Sequence, residues 1–128
     1  MAASFRLIED GHAIYYSYSD PWTLEEALQV GEAVLPHYDV APHHIHAIID
    51  LRNAKSAPAG VLRTRNSPIV THPKAGHLIV LGANSLLKTM GDVASRLSGY
   101  NRIMFCTTEE QAMAELRAVI VEEMASAS

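Results

Sequence analysis

At residues 41–52 the chain reads APHHIHAIIDLR. From Ile45 the side chains alternate in a strand, so Ile45, Ala47, Ile49 and Leu51 share one face, and His46, Ile48 and Asp50 share the other. The three histidines His43, His44 and His46 stand at the mouth of this strand, and Asp50 stands near its exit. His44 and His46 point the same way and supply two aligned metal ligands. Zinc takes about four ligands, or three and a water. Asp50 lies two pleats beyond His46, ~13 Å by strand rise, which is too far to join them. A third ligand would have to come from His12, His72 or His77. His46 and Asp50 are also the residue types of an acid–base pair, but no nucleophile elbow accompanies them. The reading adopted is therefore a strand, with no catalytic residue, no metal and no cofactor. The alternative kept open is a small hydrolase or metal-binding protein using the His43/His44/His46 cluster.

Alternating elements extend outward from this strand. Residues 5–8 and 12–19 flank Glu9-Asp10-Gly11 and predict an antiparallel hairpin. Asp20-Pro21-Trp22 breaks the second strand. Thr23 and Glu26 then form a capping box, opening a helix whose expected inner face is Leu24, Ala27, Leu28, Gly31, Val34 and Leu35. Pro36 and Pro42 are expected to flank the loop after it. A short helix is predicted over 57–65, with Pro58 in its first turn, then a loop over 66–75. A strand over 77–81 closes at Gly82. Asn84 or Ser85 caps a helix carrying Leu86, Leu87, Met90, Val93, Ala94 and Leu97, which stops at Ser98-Gly99. A strand over 102–106 leads into a final helix started by Thr107 and Thr108, with Ala112, Leu116, Val119 and Ile120 as its apolar face.

Strands that alternate with helices after a leading hairpin predict an α/β fold. Its sheet should be mixed, mostly parallel beyond the first strands, with helices mainly on one face. The whole chain, 1–128, reads as one domain. At 128 residues a chain buries roughly two-thirds of its unfolded surface and needs no staples. The net charge of −4 and the lack of a basic run argue against nucleic acid. A single cysteine, Cys106, rules out an intramolecular disulfide; ending an apolar strand, it reads as buried and inert. No segment approaches the ~20 apolar residues of a membrane span, and the expected location is the cytoplasm.

Three phrases in order resemble one family. HAIIDLRNAKSAPAG, GHLIVLGANSLLKTMGDVASRL and NRIMFCTTEEQAMAELRAVI resemble the STAS domains, and more closely their SpoIIAA-like group. The resemblance implies the mixed-sheet fold and a non-enzymatic module that works by protein interaction, by carrying a lipophilic ligand, or by membrane association. Antagonists of this type carry a phosphorylatable serine immediately before a glycine at the start of the helix after the Asp-ending strand. Here that place is held by Ala59, before Gly60, and Ala59 has no hydroxyl.

With helices on one face, the other face of the sheet is expected to lie open. Ile48, Val80 and Met104 are assigned to it. An uncovered apolar surface marks a contact, so Tyr16, Tyr18, Trp22, Ile48, Leu78, Val80 and Met104 are the expected ligand or interface residues. The expected cover is a second copy of the chain, the 66–75 loop or a lipid-like ligand; a protein partner and peripheral membrane contact complete the expected partners. A kinase of the anti-sigma type is predicted to leave residues 56–60 unmodified; mass spectrometry after incubation checks this, and stoichiometric phosphate on Ser56 would contradict it.

Overall fold

The structure is a computed structural model and describes residues 2–58, 60 and 68–127. Strand β1 (Ala3–Ile8) and strand β2 (Ala13–Ser19) form the expected hairpin. Its turn has Glu9, Asp10 and Gly11 at φ 51, 56 and 83, a left-handed run that the glycine adopts without steric cost. Helix α1 (Leu24–Val40) begins at the Thr23/Glu26 capping box. Strand β3 (Ile45–Asn53) follows, then a four-residue helix α2 (Pro68–Thr71) and strand β4 (Ala75–Leu81). Helix α3 (Ser85–Ser98) is capped by Asn84, whose side chain accepts the Leu87 amide at 2.9 Å, and ends at Gly99 with φ 72. Strand β5 (Ile103–Cys106) and helix α4 (Glu109–Ala127) complete the chain.

The sheet order is β1-β2-β3-β4-β5, antiparallel between the first two strands and parallel thereafter. Each parallel strand adds beside the one before it. Right-handed crossovers between successive neighbours return on the same face, and the packing agrees. Val30, Val34 and Tyr38 of α1 bury Ile14, Tyr16, Ala47, Leu78 and Val80, and Ile69 and Val70 of α2 join that cluster. Gly91 of α3 lies against Phe105 and Ile103, which belong to the same side. Helix α4 follows β5, the last strand in the sheet order. It crosses to the opposite face, where Ala112 and Leu116 pack on Ala13, Tyr15, Ile48, Ile79, Leu81 and Cys106.

This corrects several expectations. Helices cover both faces, and Ile48 is 0% exposed beneath α4 rather than open to a partner. The described part of the 66–75 segment does not cover Ile48 either: its helix α2 packs on the other face. Register sets Ile48 beside Ile79 and Ile79 beside Met104, so Val80 belongs with Tyr16 and Leu78 on the α1 side. Helix α1 does not stop before Pro36 but runs through it to Val40. Pro36 is exposed, and the inward Val34 and Tyr38 hold the turns around it despite the missing N–H. The inner face of α1 is Ala27, Val30, Gly31, Val34 and Tyr38, while Leu28 and Leu35 point outward. The short helix expected over 57–65 falls largely outside the described residues, as does Ala59; Ala57 and Pro58 themselves are in no helix.

Because Ile48 lies in an intramolecular core, its substitution should act on stability. Ile48→Asp is expected to cost more than the ~2–5 kcal/mol of an Ile→Ala truncation, since a carboxylate enters an unpaired apolar site. Set against a typical total of ~5–15 kcal/mol, that leaves most of the variant unfolded. Urea titration followed by circular dichroism checks this, with Ile48→Ala expected to melt cooperatively at lower denaturant.

Candidate functional site

Strand β3 carries two polar clusters on its α4 side, one at each end. At the carboxyl end, where α/β sheets most often place their sites, Asp50 is the centre. Its Oδ1 accepts the backbone N–H and the Nε–H of Arg52, both at 3.0 Å. Its Oδ2 accepts Arg52 Nη2 and the Tyr15 hydroxyl, both at 2.8 Å. Tyr15 also lies 3.3 Å from Glu109 Oε1, and Arg52 Nη2 lies 3.8 Å from it. The Arg52 stem crosses Gly82, where a Cβ would fall 2.4 Å from Arg52 Cγ. Gly82 at φ +73 thus serves both the turn and the close approach. Burial alone would raise the Asp50 carboxyl, but the Arg52 and Tyr15 bonds outweigh it and hold the group below its ordinary range. Burial and the Asp50 bond push the Tyr15 hydroxyl up to about 12. All four acceptor positions of the carboxylate are engaged.

The loop beyond β3 is tied down at the same pole. Asp20 accepts the Lys55 amide at 2.7 Å, Trp22 Nε1 donates to the Ser56 carbonyl at 3.0 Å, and Asn84 Nδ2 donates to the Lys55 carbonyl at 2.7 Å. Trp22 also packs on Tyr18, ring centroids 4.9 Å apart. These two expected contact residues therefore form a half-buried brace for this loop.

At the amino end stand the three histidines. His46 is 2% exposed. Its Nδ1 accepts the backbone N–H of His77 at 2.9 Å, and its Nε2 lies 2.8 Å from Glu123 Oε2 on α4. An Nδ1 that accepts leaves the proton on Nε2, so the neutral tautomer donates to Glu123. Burial pushes the His46 pKa below its ordinary 6.5. The ring occupies the space over Gly76, where a Cβ would lie 2.3 Å from Nδ1. The β3–β4 register shifts here, between the Ile45↔Ala75 and Ala47↔Leu78 pairs. His44 donates its amide to Glu123 Oε1 at 3.2 Å. Against the upward push of its own burial, the His46 ring and the His44 amide hold the Glu123 carboxyl below its ordinary range. His43 stacks on His12 at 3.9 Å, and the His77 ring lies 5.5 Å from that of His46. The His77 Nδ1 is buried without a hydrogen-bond partner.

Among the described residues, no group of three or more His, Cys, Asp or Glu is placed to hold a metal. His72 is turned away to Asp39 of α1 at 2.9 Å. Cys106 is buried in the α4 core, and burial and Glu115 raise its thiol. An open cleft of about 620 Å3 lies at the amino edge of β5, lined by Val70, Thr71, Gly99, Tyr100, Asn101 and Arg102; the Tyr100 hydroxyl there donates to the Gly76 carbonyl. No described helix is long and apolar enough to cross a membrane. The surface carries an apolar row on α3: Leu86, Val93 and Leu97 are exposed at 58, 39 and 62%. The expected contact residues are thus divided. Tyr16, Leu78 and Val80 lie in the α1 core, Ile48 and Met104 lie beneath α4, and Tyr18 and Trp22 brace the loop. Glu123, Tyr15 and Glu109 were not singled out from the sequence, because their partners lie 77, 35 and 94 positions away. No family model matches the chain, and no curated protein matches it.

The Asp50 cluster predicts an acid-dependent contribution to stability. The folded state holds the carboxyl below its ordinary pKa, so its contribution is complete above the ordinary carboxylate range and is lost as pH falls through the folded value. Asp50→Asn is expected to cost about 1.5–3 kcal/mol at pH 7, with the difference from the native chain shrinking as pH falls below 4 (~3.9 is the ordinary value). Paired urea melts across pH 3–7 check this; a difference that does not vary with pH would contradict it.

Proposed function

We propose that this chain is a non-enzymatic interaction module of the SpoIIAA/STAS kind, and that its contact surface is the outer side of α3. One observation carries the reading. Leu86, Val93 and Leu97 recur at helical spacing and are exposed, with the half-buried Met90 between them. Apolar side chains in a row on one helix are the usual anchors of a helix-mediated contact. The hydrogen-bonding state of the reactive groups supports the same view. Asp50 is filled by Arg52 and Tyr15, and both nitrogens of His46 are spent on His77 and Glu123. The family resemblance supports the reading from a second side. Its three phrases fall on β3 and the following loop, on β4 with α3, and on β5 with α4. The lipophilic-ligand version of this function loses its expected surface, since that sheet face lies beneath α4.

The first partner is a second copy of the chain. Sedimentation velocity over a range of concentrations is expected to give a dimer for the native chain. The double variant Leu86→Glu/Leu97→Glu is expected to be monomeric and to melt as the native chain does once dilution has dissociated it, because both positions are solvent-facing in the single chain. Self-association that survives the double substitution, or a native chain that stays monomeric, would refute this surface.

A further inference from the structure

We propose that the histidine cluster at the amino ends of β3 and β4 is an acid-released latch for the C-terminal half of α4. The helix is tied at three points along its length. Glu109 meets Tyr15 and Arg52 at its start, Arg117 donates to Glu9 Oε1 at 2.9 Å in its middle, and Glu123 accepts from His46 and from the His44 amide near its end. The first two ties run through carboxylates, guanidinium groups and a phenol. The third runs through an imidazole.

That imidazole works only when neutral. Its Nδ1 must accept the His77 N–H at 2.9 Å. A proton placed there would set two donors against each other across a buried contact and leave a backbone N–H unsatisfied. The ring lies against the Gly76 backbone on one side and is closed off by Glu123 of α4 on the other, leaving it 2% exposed, so a charged ring gains water and room to turn from that conflict when α4 lifts. The surroundings add to this. From the residue before β3 the ring is faced by His44, from β4 by His77, and from α4 by Glu123; His77 in turn is faced by Arg102, Glu122, Glu123 and His44. His12, stacked on His43, accepts the His46 amide through its carbonyl at 2.9 Å. Acid therefore sets the charge of His46 and His77 side by side at one pole, against Glu122 and Glu123. The attraction of Glu123 for a charged His46 opposes release. It is outweighed by desolvation, which heads the influences on both His46 and His77 and lowers both pKa values.

The sign follows. His46 binds its proton more weakly when the helix is latched than when it is free. The latch is complete above the ordinary histidine value of 6.5 and weakens as pH falls below it, until the latched value is reached. In that window the ratio of free to latched helix rises by up to about tenfold per pH unit for one such group. Release uncovers the sheet face beneath Leu116 and Ile120, which includes Ile48. The apolar face that the closed structure hides would thereby become available on acidification.

Amide hydrogen exchange of residues 116–126, corrected for intrinsic rates, tests this between pH 7.5 and 5.5. Exchange in that segment is expected to rise up to about tenfold, with α1 unchanged as the internal control. His46→Gln keeps an acceptor and a donor but does not titrate, and it should abolish the rise. His77→Gln keeps the His77 backbone N–H and should retain most of it. Flat exchange in the native chain, or an equal rise in His46→Gln, would overturn the latch. If His46→Gln fails to fold, Glu123→Gln decides: it should raise exchange in the same segment already at pH 7.5, and native-like protection there would overturn the proposal.

Discussion

A sheet that is apolar on both faces must be covered twice, and in this chain a single helix covers the second face. Ile48, Ile79 and Leu81 are each 0% exposed only because α4 lies over them. Burying a side chain of that size stabilises the fold by ~1.5–3 kcal/mol, so the second core depends on one helix. The polar ties of α4 are spaced along its length, at Glu109, Arg117 and Glu123.

The two polar clusters of β3 look alike in sequence, as a charged or titratable residue flanking an apolar run, yet they hold different things. Asp50 is bonded chiefly to Arg52, two residues away. It fixes the exit of its own strand. His46 is bonded to a neighbouring strand and to a helix, so it joins three elements that are distant in the chain. Removing the first would loosen a loop; removing the second would leave a backbone donor and a carboxylate without partners in a largely buried setting.

Much of the architecture was legible from local signals. The Thr23/Glu26 box, the Asn84 cap and the left-handed Gly99 each mark a helix end through a bond or a φ angle confined to a few residues. The alternation along residues 45–51 separated the two faces of β3 correctly. What covers each face was not legible from alternation, which says that two residues point the same way and not what lies above them. Strand order supplies that information: once each strand adds beside its predecessor, the crossover helices must share a side and the last helix is left free. Pro36 misled because a proline removes a donor in every context, while the inward Val34 and Tyr38 that keep the helix going act through tertiary packing. The partner of His46 lies 77 residues away, beyond the reach of any periodicity.

Gly76 gives the His46 contact a consequence for how the chain can vary. Any side chain at 76 would place a Cβ 2.3 Å from His46 Nδ1 and 2.7 Å from Cε1, and a rigid, buried ring cannot yield that space. The glycine is therefore required by the imidazole and not by its own backbone angles. Descendants of this sequence that keep the histidine must keep the glycine. Those that lose the histidine are released from that demand at once. The two positions, 30 apart in the chain, should be inherited as a pair, with a larger residue at 76 appearing only in lineages where a smaller one has replaced the ring at 46.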